Sequence, residues 1–375
     1  MAIIRLKQIT GFSLAGIATL VMAGCGGDGT RDMINPTVAS APATSTAAGG
    51  IQLSLQSADF EAAGLAAPIT TEPCTLSGGT TTTCYRITTT GAPGDHAVGA
   101  FCPTNIKDDD AGMWIEGGKV YQLTGEFIRN LATFYNDARW QLYDLATGNI
   151  RVTDTKAAFE AAARPDVAAQ YFNYCVEGKM SWVGGGISKT VLIPVHPVPL
   201  ANGTGFIGRT GVGIALNGIT LDPPAPVDRI KAAYTIAAFD DCGGHINPFE
   251  GYHYHAATGC SRTVASRDSH AALIGYALDG YGIYALADAS GREPAGLDNC
   301  RGHSDGARGY HYHVASAGEN MFIGCFRGEQ GSAHSGTTLR TSIAAPASRW
   351  PTISYASGTS RLNTPRRTDT PTTRQ

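Results

Sequence analysis

From about residue 187 to 330 the chain alternates short apolar runs with glycine, proline, asparagine or aspartate: KTVLIPV, GVGIALNGI, AAYTIAAF, LIGYALDG and YGIYALA. Runs of this length bounded by turn formers predict strands joined by tight turns. Asn217-Gly218 and Asp279-Gly280 are first of all hairpin-turn dipeptides. From 51 to 183 the pattern is less regular. CTLSGGTTTTCYRI predicts a hairpin, and the alanine-rich segment from Lys156 to Tyr174 predicts two short helices, because Pro165 interrupts it. The stretch 26–50 is mostly Ala, Ser, Thr, Gly and Pro and reads as a flexible tether. The segment 331–375 has no sustained apolar period and reads as a poorly ordered tail. The expected fold is therefore mainly β with a few short helices. Its C-terminal region, 184–330, is expected to be sandwich-like or barrel-like and disulfide-stapled.

The chain also repeats itself. DDCGGHINPFEGYHYH (240–255) aligns without a gap on DNCRGHSDGARGYHYH (298–313), with nine identical positions in sixteen. Upstream, GIALNG (213–218) corresponds to GYALDG (275–280), although the spacers that follow differ in length. Two copies of one unit are expected, about 211–260 and 273–328.

Y-H-Y-H has the period of a strand, so His253 and His255 project to one face and Tyr252 and Tyr254 to the other; the same holds for His311 and His313 against Tyr310 and Tyr312. Two imidazoles so placed can hold one metal ion. His245 in the first copy and His303 in the second supply a third nitrogen, which would leave an open position. Two three-histidine sites and one shared site are both compatible with the repeat. Tyr-His alternation also suits a half-buried strand without any metal. Against that plainer account, eight of the ten histidines fall between His196 and His313, six of them at equivalent repeat positions. Imidazoles gathered in neutral form suit a bound cation, Zn or Cu by ligand type. Asp240, Asp241 and Asp298 are candidates to orient a histidine through its outer nitrogen, or are turn formers. His270 and Arg327 lie outside the repeated motif and are weaker candidates. In the first region no chemistry-bearing motif stands out: His96 beside Asp95 reads as a surface pair, and Trp114 and Trp140 as core or interface aromatics.

Composition narrows the setting. A net charge of -3 gives no basic excess for nucleic acid, and 47 glycines with 16% charged residues fit a turn-rich protein outside the cytoplasm. Arg5 and Lys7, a short apolar stretch and then Met22-Ala23-Gly24-Cys25 read as a lipoprotein signal, with Cys25 the lipid-bearing residue and the membrane a partner through that lipid. An ordinary secretory signal cut nearby, with Cys25 a bystander, is the alternative. Setting Cys25 aside leaves eight cysteines, an even set suited to disulfides in an oxidising compartment. Their connectivity does not follow from sequence. Local spacing suggests Cys74 with Cys84, Cys102 with Cys175, Cys242 with Cys260 and Cys300 with Cys325.

The run YALDGYGIY, then LDNCRGH, GYHYHV and IGCFRG, resembles the YHYH-domain proteins in motif order, over roughly Ser181 to Gly328. The resemblance implies an exported, often lipid-anchored protein and implies no reaction. The spacer GYGIYALADASGREPAG departs from the family pattern. Three functions follow for comparison. The first is an envelope lipoprotein that binds a transition metal. The second is a metal-dependent hydrolase with Asp240, Asp241, Asp298 or Glu250 as base. The third is a metal-free envelope module, which requires the histidines to lie on different faces. No G-x-S-x-G elbow supports serine hydrolase chemistry, and no catalytic residue is singled out by spacing.

Overall fold

The computed structural model describes residues 55–109, 111–164, 166–206 and 211–335. Cys25 with its leader, the tether and the tail beyond 335 lie outside the described residues. Among those described, no helix is long and apolar enough to cross a membrane.

The chain is mainly β, and its largest element is an eight-stranded sheet. In chain order its strands are β1 (Gly213–Ala215), β2 (Thr220–Leu221), β3 (Gly244–Asn247), β4 (Gly251–Tyr254), β5 (Leu273–Ala277), β6 (Gly282–Tyr284), β7 (Gly302–Asp305) and β8 (Gly309–His313). The spatial order is β3-β4-β2-β1-β5-β6-β8-β7. Exchanging β1 for β5, β2 for β6, β3 for β7 and β4 for β8 reverses this order onto itself. The repeat is thus a pseudo-twofold whose axis passes between β1 and β5. Those two strands pair antiparallel at equivalent positions, Ile214 opposite Tyr276. The sheet is open, with β3 and β7 at its edges, so barrel closure does not occur.

Each copy folds the same way for the same local reasons. Asn217-Gly218 and Asp279-Gly280 close the β1–β2 and β5–β6 hairpins, with both glycines at positive φ. After a crossover, β3–β4 and β7–β8 form a second hairpin, whose inner strand joins β2 or β6 in parallel. Gly251 and Gly309 open the inner strands at φ 74° and 66°, a conformation that costs other residues.

The region 51–183 shares this core rather than standing apart. Thr70–Thr75 and Thr81–Thr88 form the expected hairpin, and the second strand continues onto Lys189–Pro194. Ser332–Ser335 pair on the far side of Lys189–Pro194. That pairing corrects the expected start of the tail at 331: a short Ser-Ala-His-Ser strand is ordered by the ladder, with Ala333 packed against the core. Met113 and Phe239 exchange backbone hydrogen bonds. One hydrophobic cluster runs from Phe60, Trp114, Trp140 and Phe159 through Ile214, Phe239 and Tyr276 to Phe326. The alanine-rich segment gives a helix, Lys156–Ala162, capped by the Thr155 hydroxyl, and then a 3-10 turn at Ala169–Tyr171.

Four disulfides join Cys74 to Cys84, Cys102 to Cys175, Cys242 to Cys260 and Cys300 to Cys325. They suggest an oxidising compartment outside the cytoplasm.

Candidate metal centres

The repeated residues first build a frame. Asp240 accepts hydrogen bonds from the backbone N–H of Cys242 and Gly244, fixing the turn before β3, and from the Tyr252 hydroxyl at 2.7 Å. Asp298 does the same with Cys300, Gly302 and the Tyr310 hydroxyl at 2.9 Å. The first tyrosine of each GYHYH crosses the neighbouring strand so closely that a Cβ on Gly244 or Gly302 would fall 2.6 or 2.0 Å from its ring or hydroxyl. This is the reason for Gly before His in G-H. The second tyrosines are held by the hairpin turns. Asn217 donates to the Tyr254 hydroxyl at 2.8 Å, and the Tyr312 hydroxyl donates to buried Asp279 at 2.5 Å. Burial pushes the Asp279 carboxyl up to about 7, against the donors from Tyr312, Gly328, Tyr281 and Arg327 that favour its charge.

With the tyrosines fixed on one face, the histidines occupy the other. His245 lies opposite His253 in the β3–β4 ladder, and His303 opposite His311 in β7–β8. The cross-sheet register carries His253 through Thr220, Ile214 and Tyr276 to Gly282, and Tyr284, two residues on and so on the same face, pairs with His313, which puts both sets on that face. Five strand spacings, roughly 24 Å, separate β4 from β8. There are accordingly two centres and not one shared site.

At the first centre the Nε2 atoms converge: His245 to His253 at 3.1 Å, His253 to His255 at 3.0 Å and His255 to His245 at 3.2 Å. His253 and His255 are 3% and 5% exposed, and Phe239 stacks on His245. At the second centre His270 joins the three repeat histidines. Its Nε2 lies 3.1 Å from that of His311, and His303 Nε2 lies 3.3 Å from His313 Nε2. His311 and His313 are each 1% exposed.

The outer nitrogens decide the chemistry of the inner ones. His253 Nδ1 faces the Gly251 carbonyl at 3.0 Å and His255 Nδ1 the Pro223 carbonyl at 2.6 Å. His311, His313 and His270 face the carbonyls of Gly309, Ala285 and Ala271 at 2.9, 2.9 and 3.0 Å. A carbonyl only accepts, so each of these Nδ1 atoms carries the proton, and each neutral ring presents a bare lone pair at Nε2. The contacts His253–His255 and His270–His311 are thus lone pair against lone pair.

Protonating the inner nitrogens does not relieve this crowding. Burial holds His245 well below its ordinary value and His255 and His303 below theirs, and it brings His311 to about 4 and His313 to about 3, helped at every one of these but His255 by neighbouring histidines. A cation relieves it. Tetrahedral coordination with metal–nitrogen bonds near 2.0–2.1 Å places nitrogens about 3.3 Å apart, close to the separations found here.

Several sequence expectations change. Backbone carbonyls, not Asp240, Asp241 or Asp298, orient the histidines. Asp240 and Asp298 are committed to the turns and tyrosines, and Asp241 is exposed. The sheet register sets this, because the carboxylates sit behind the tyrosine face. Glu250 is tied to Lys189 at 2.9 Å and belongs to neither histidine group. His96 pairs with Asp95 at 2.7 Å near the surface, as expected, and its half-buried ring also packs against Tyr252 and Tyr254. Trp114 and Trp140 are buried, as expected of core aromatics. The histidines do not scatter over different faces, as a metal-free module requires. Sequence reasoning left His270 a weak candidate because only its place just before β5, beside β6, brings it to the centre. It overlooked Asp222, whose carboxylate lies 3.8 Å from His253 Nε2; its position directly after β2, the strand parallel to β4, and before Pro223 was the available signal.

A protein-family model described as YHYH protein matches residues 190–292. The match takes in the whole first centre and His270, and ends before His303, His311 and His313. No curated protein and no solved structure matches the chain.

Proposed function

We propose that the chain, part of which matches the YHYH protein family, is an exported lipoprotein, anchored through Cys25, that binds two transition-metal ions, one in each copy of its repeat. The observation that carries this reading is the pairing of Nδ1 protons committed to backbone carbonyls with bare Nε2 atoms held about 3 Å apart. Folding that brings lone pairs together is unfavourable until a cation occupies the point they face. Imidazole donors suit Zn or Cu. The outer-nitrogen bonds are the arrangement that fixes ring orientation and raises basicity at metal-binding histidines.

The test is elemental analysis of the full chain, purified from the cell envelope without an affinity tag or chelator. Two equivalents of zinc or copper are expected in the native chain. His253→Ala should lose one equivalent, His311→Ala the other, and the double variant both. A native chain that holds no metal even after reconstitution with zinc and with copper would overturn the proposal.

A further inference from the structure

The two copies diverge at one position beside the centres. Along and just past the second strand of each, Thr220-Leu221-Asp222-Pro223 corresponds to Gly282-Ile283-Tyr284-Ala285. The carbonyls at the last position, Pro223 and Ala285, both accept from the histidine that ends Y-H-Y-H. One residue earlier the copies differ. Tyr284 lays its ring across His270 and His311 at centroid distances of 4.8 and 5.1 Å, and His270 supplies the fourth nitrogen there. In the first copy that place belongs to Asp222. Its carboxylate Oδ2 stands 3.8 Å from His253 Nε2, with the two side chains only 12% and 4% exposed. Its backbone N–H is held by the Tyr254 carbonyl at 2.9 Å, which locks the residue beside β4.

Resting on the reading of both clusters as metal centres, we infer that Asp222 is the fourth ligand of the first. A divalent ion there meets three imidazoles and a carboxylate, and at the second centre four imidazoles. The separation of 3.8 Å is about half an ångström longer than the edge of a tetrahedron with bonds near 2.1 Å. Asp222 stands outside the group of nitrogens that already lie within 4.8 Å of one another, so its side chain turns towards His245 and His255 as the ion binds. The ion keeps one positive charge at the first centre and two at the second. The duplication has therefore yielded two centres of different charge from one unit, the first completed from its own strand and the second by His270 from outside the motif.

The experiment uses the full chain with Co(II) as the probe, titrated against a competing chelator and followed by its visible ligand-field bands. The native chain should take two Co(II). Losing an outer partner of a metal ligand costs roughly 10- to 100-fold in affinity, and losing a charged ligand at least as much. Asp222→Asn should thus weaken one Co(II) by about 100-fold and shift the bands of that ion. The second centre in the same molecule reports folding: a variant that still binds its other Co(II) as the native chain does is folded. Unchanged bands at the first centre in such a variant, whatever its affinity, would overturn ligation by Asp222. Anomalous diffraction from zinc-loaded native crystals reads the same point without a variant. An Asp222 oxygen within about 2.2 Å of the ion supports the inference, and one beyond about 3 Å sinks it. A native chain that binds neither Co(II) nor zinc overturns the underlying metal reading instead.

Discussion

At the scale of single residues, the proposed metal binding makes the histidines costly to the metal-free chain and useful to a loaded one. Chelator should therefore lower the melting temperature of the native protein, while His253→Ala/His311→Ala, which has no inner nitrogens to bring together at those positions, should melt at the same temperature with and without chelator. Calorimetry of both chains in each condition checks this. The tyrosines do a different job. Tyr252 and Tyr310 donate to carboxylates that also fix the turns. Hydrogen bonds to charged groups contribute about 1.5–3 kcal/mol, so Tyr252→Phe should destabilise by about 1–3 kcal/mol in urea unfolding. Metal stoichiometry should stay unchanged, because the ring and the histidine register remain.

At the scale of the element, the unit is a hairpin whose turn, glycines and alternation all serve one register. Shifting β4 by one residue would exchange its histidines and tyrosines between faces. The Asp-centred turn and the glycine at positive φ prevent that slip. Gly302→Ala should push Tyr310 off Asp298 and cost about 1–3 kcal/mol. Gly309→Ala should cost about 1–2 kcal/mol through its positive-φ backbone conformation. Denaturant unfolding of both variants in chelator separates them: in Gly302→Ala the loss should shrink when Tyr310→Phe is added, whereas in Gly309→Ala it should not.

At the scale of the whole molecule, the domain boundary read from sequence is not a boundary of the fold. Lys189–Pro194 needs Thr81–Thr88 on one side and Ser332–Ser335 on the other, and Phe239 pairs with Met113. An isolated fragment 184–330 should fail to give dispersed amide resonances, while residues 51–335 should fold cooperatively. The histidines also set an acid limit. The unfolded chain takes up protons near pH 6.5, whereas His311 and His313 in the fold wait until about 4 and about 3. Their contribution to stability is complete above about 6.5 and is lost as the pH falls from there towards 4. Asp279, raised to about 7, works in the opposite direction over a similar window. It is outnumbered by five histidines shifted downwards. Melting temperatures in chelator should fall between pH 7 and 4, and a profile flat over that range would contradict this account.

The sequence alone determined what is local or periodic. Alternation in G-Y-H-Y-H fixes which side chains share a face of any strand, Asn-Gly and Asp-Gly fix the turns, and the gapless repeat fixes that the structure is built twice. The even cysteine set and its spacing also pointed to the four bonds that form. What needed the tertiary structure was everything that depends on strand order and register. Strand order separated the centres instead of merging them. It carried His270 from outside the motif into the second centre, brought Asp222 to the first, and moved the repeated carboxylates Asp240 and Asp298 behind the tyrosines. A periodic pattern states which face a residue takes, but not which distant residue stands across from it. That partner is chosen by packing, where apolar burial over the whole core outweighs any single polar contact.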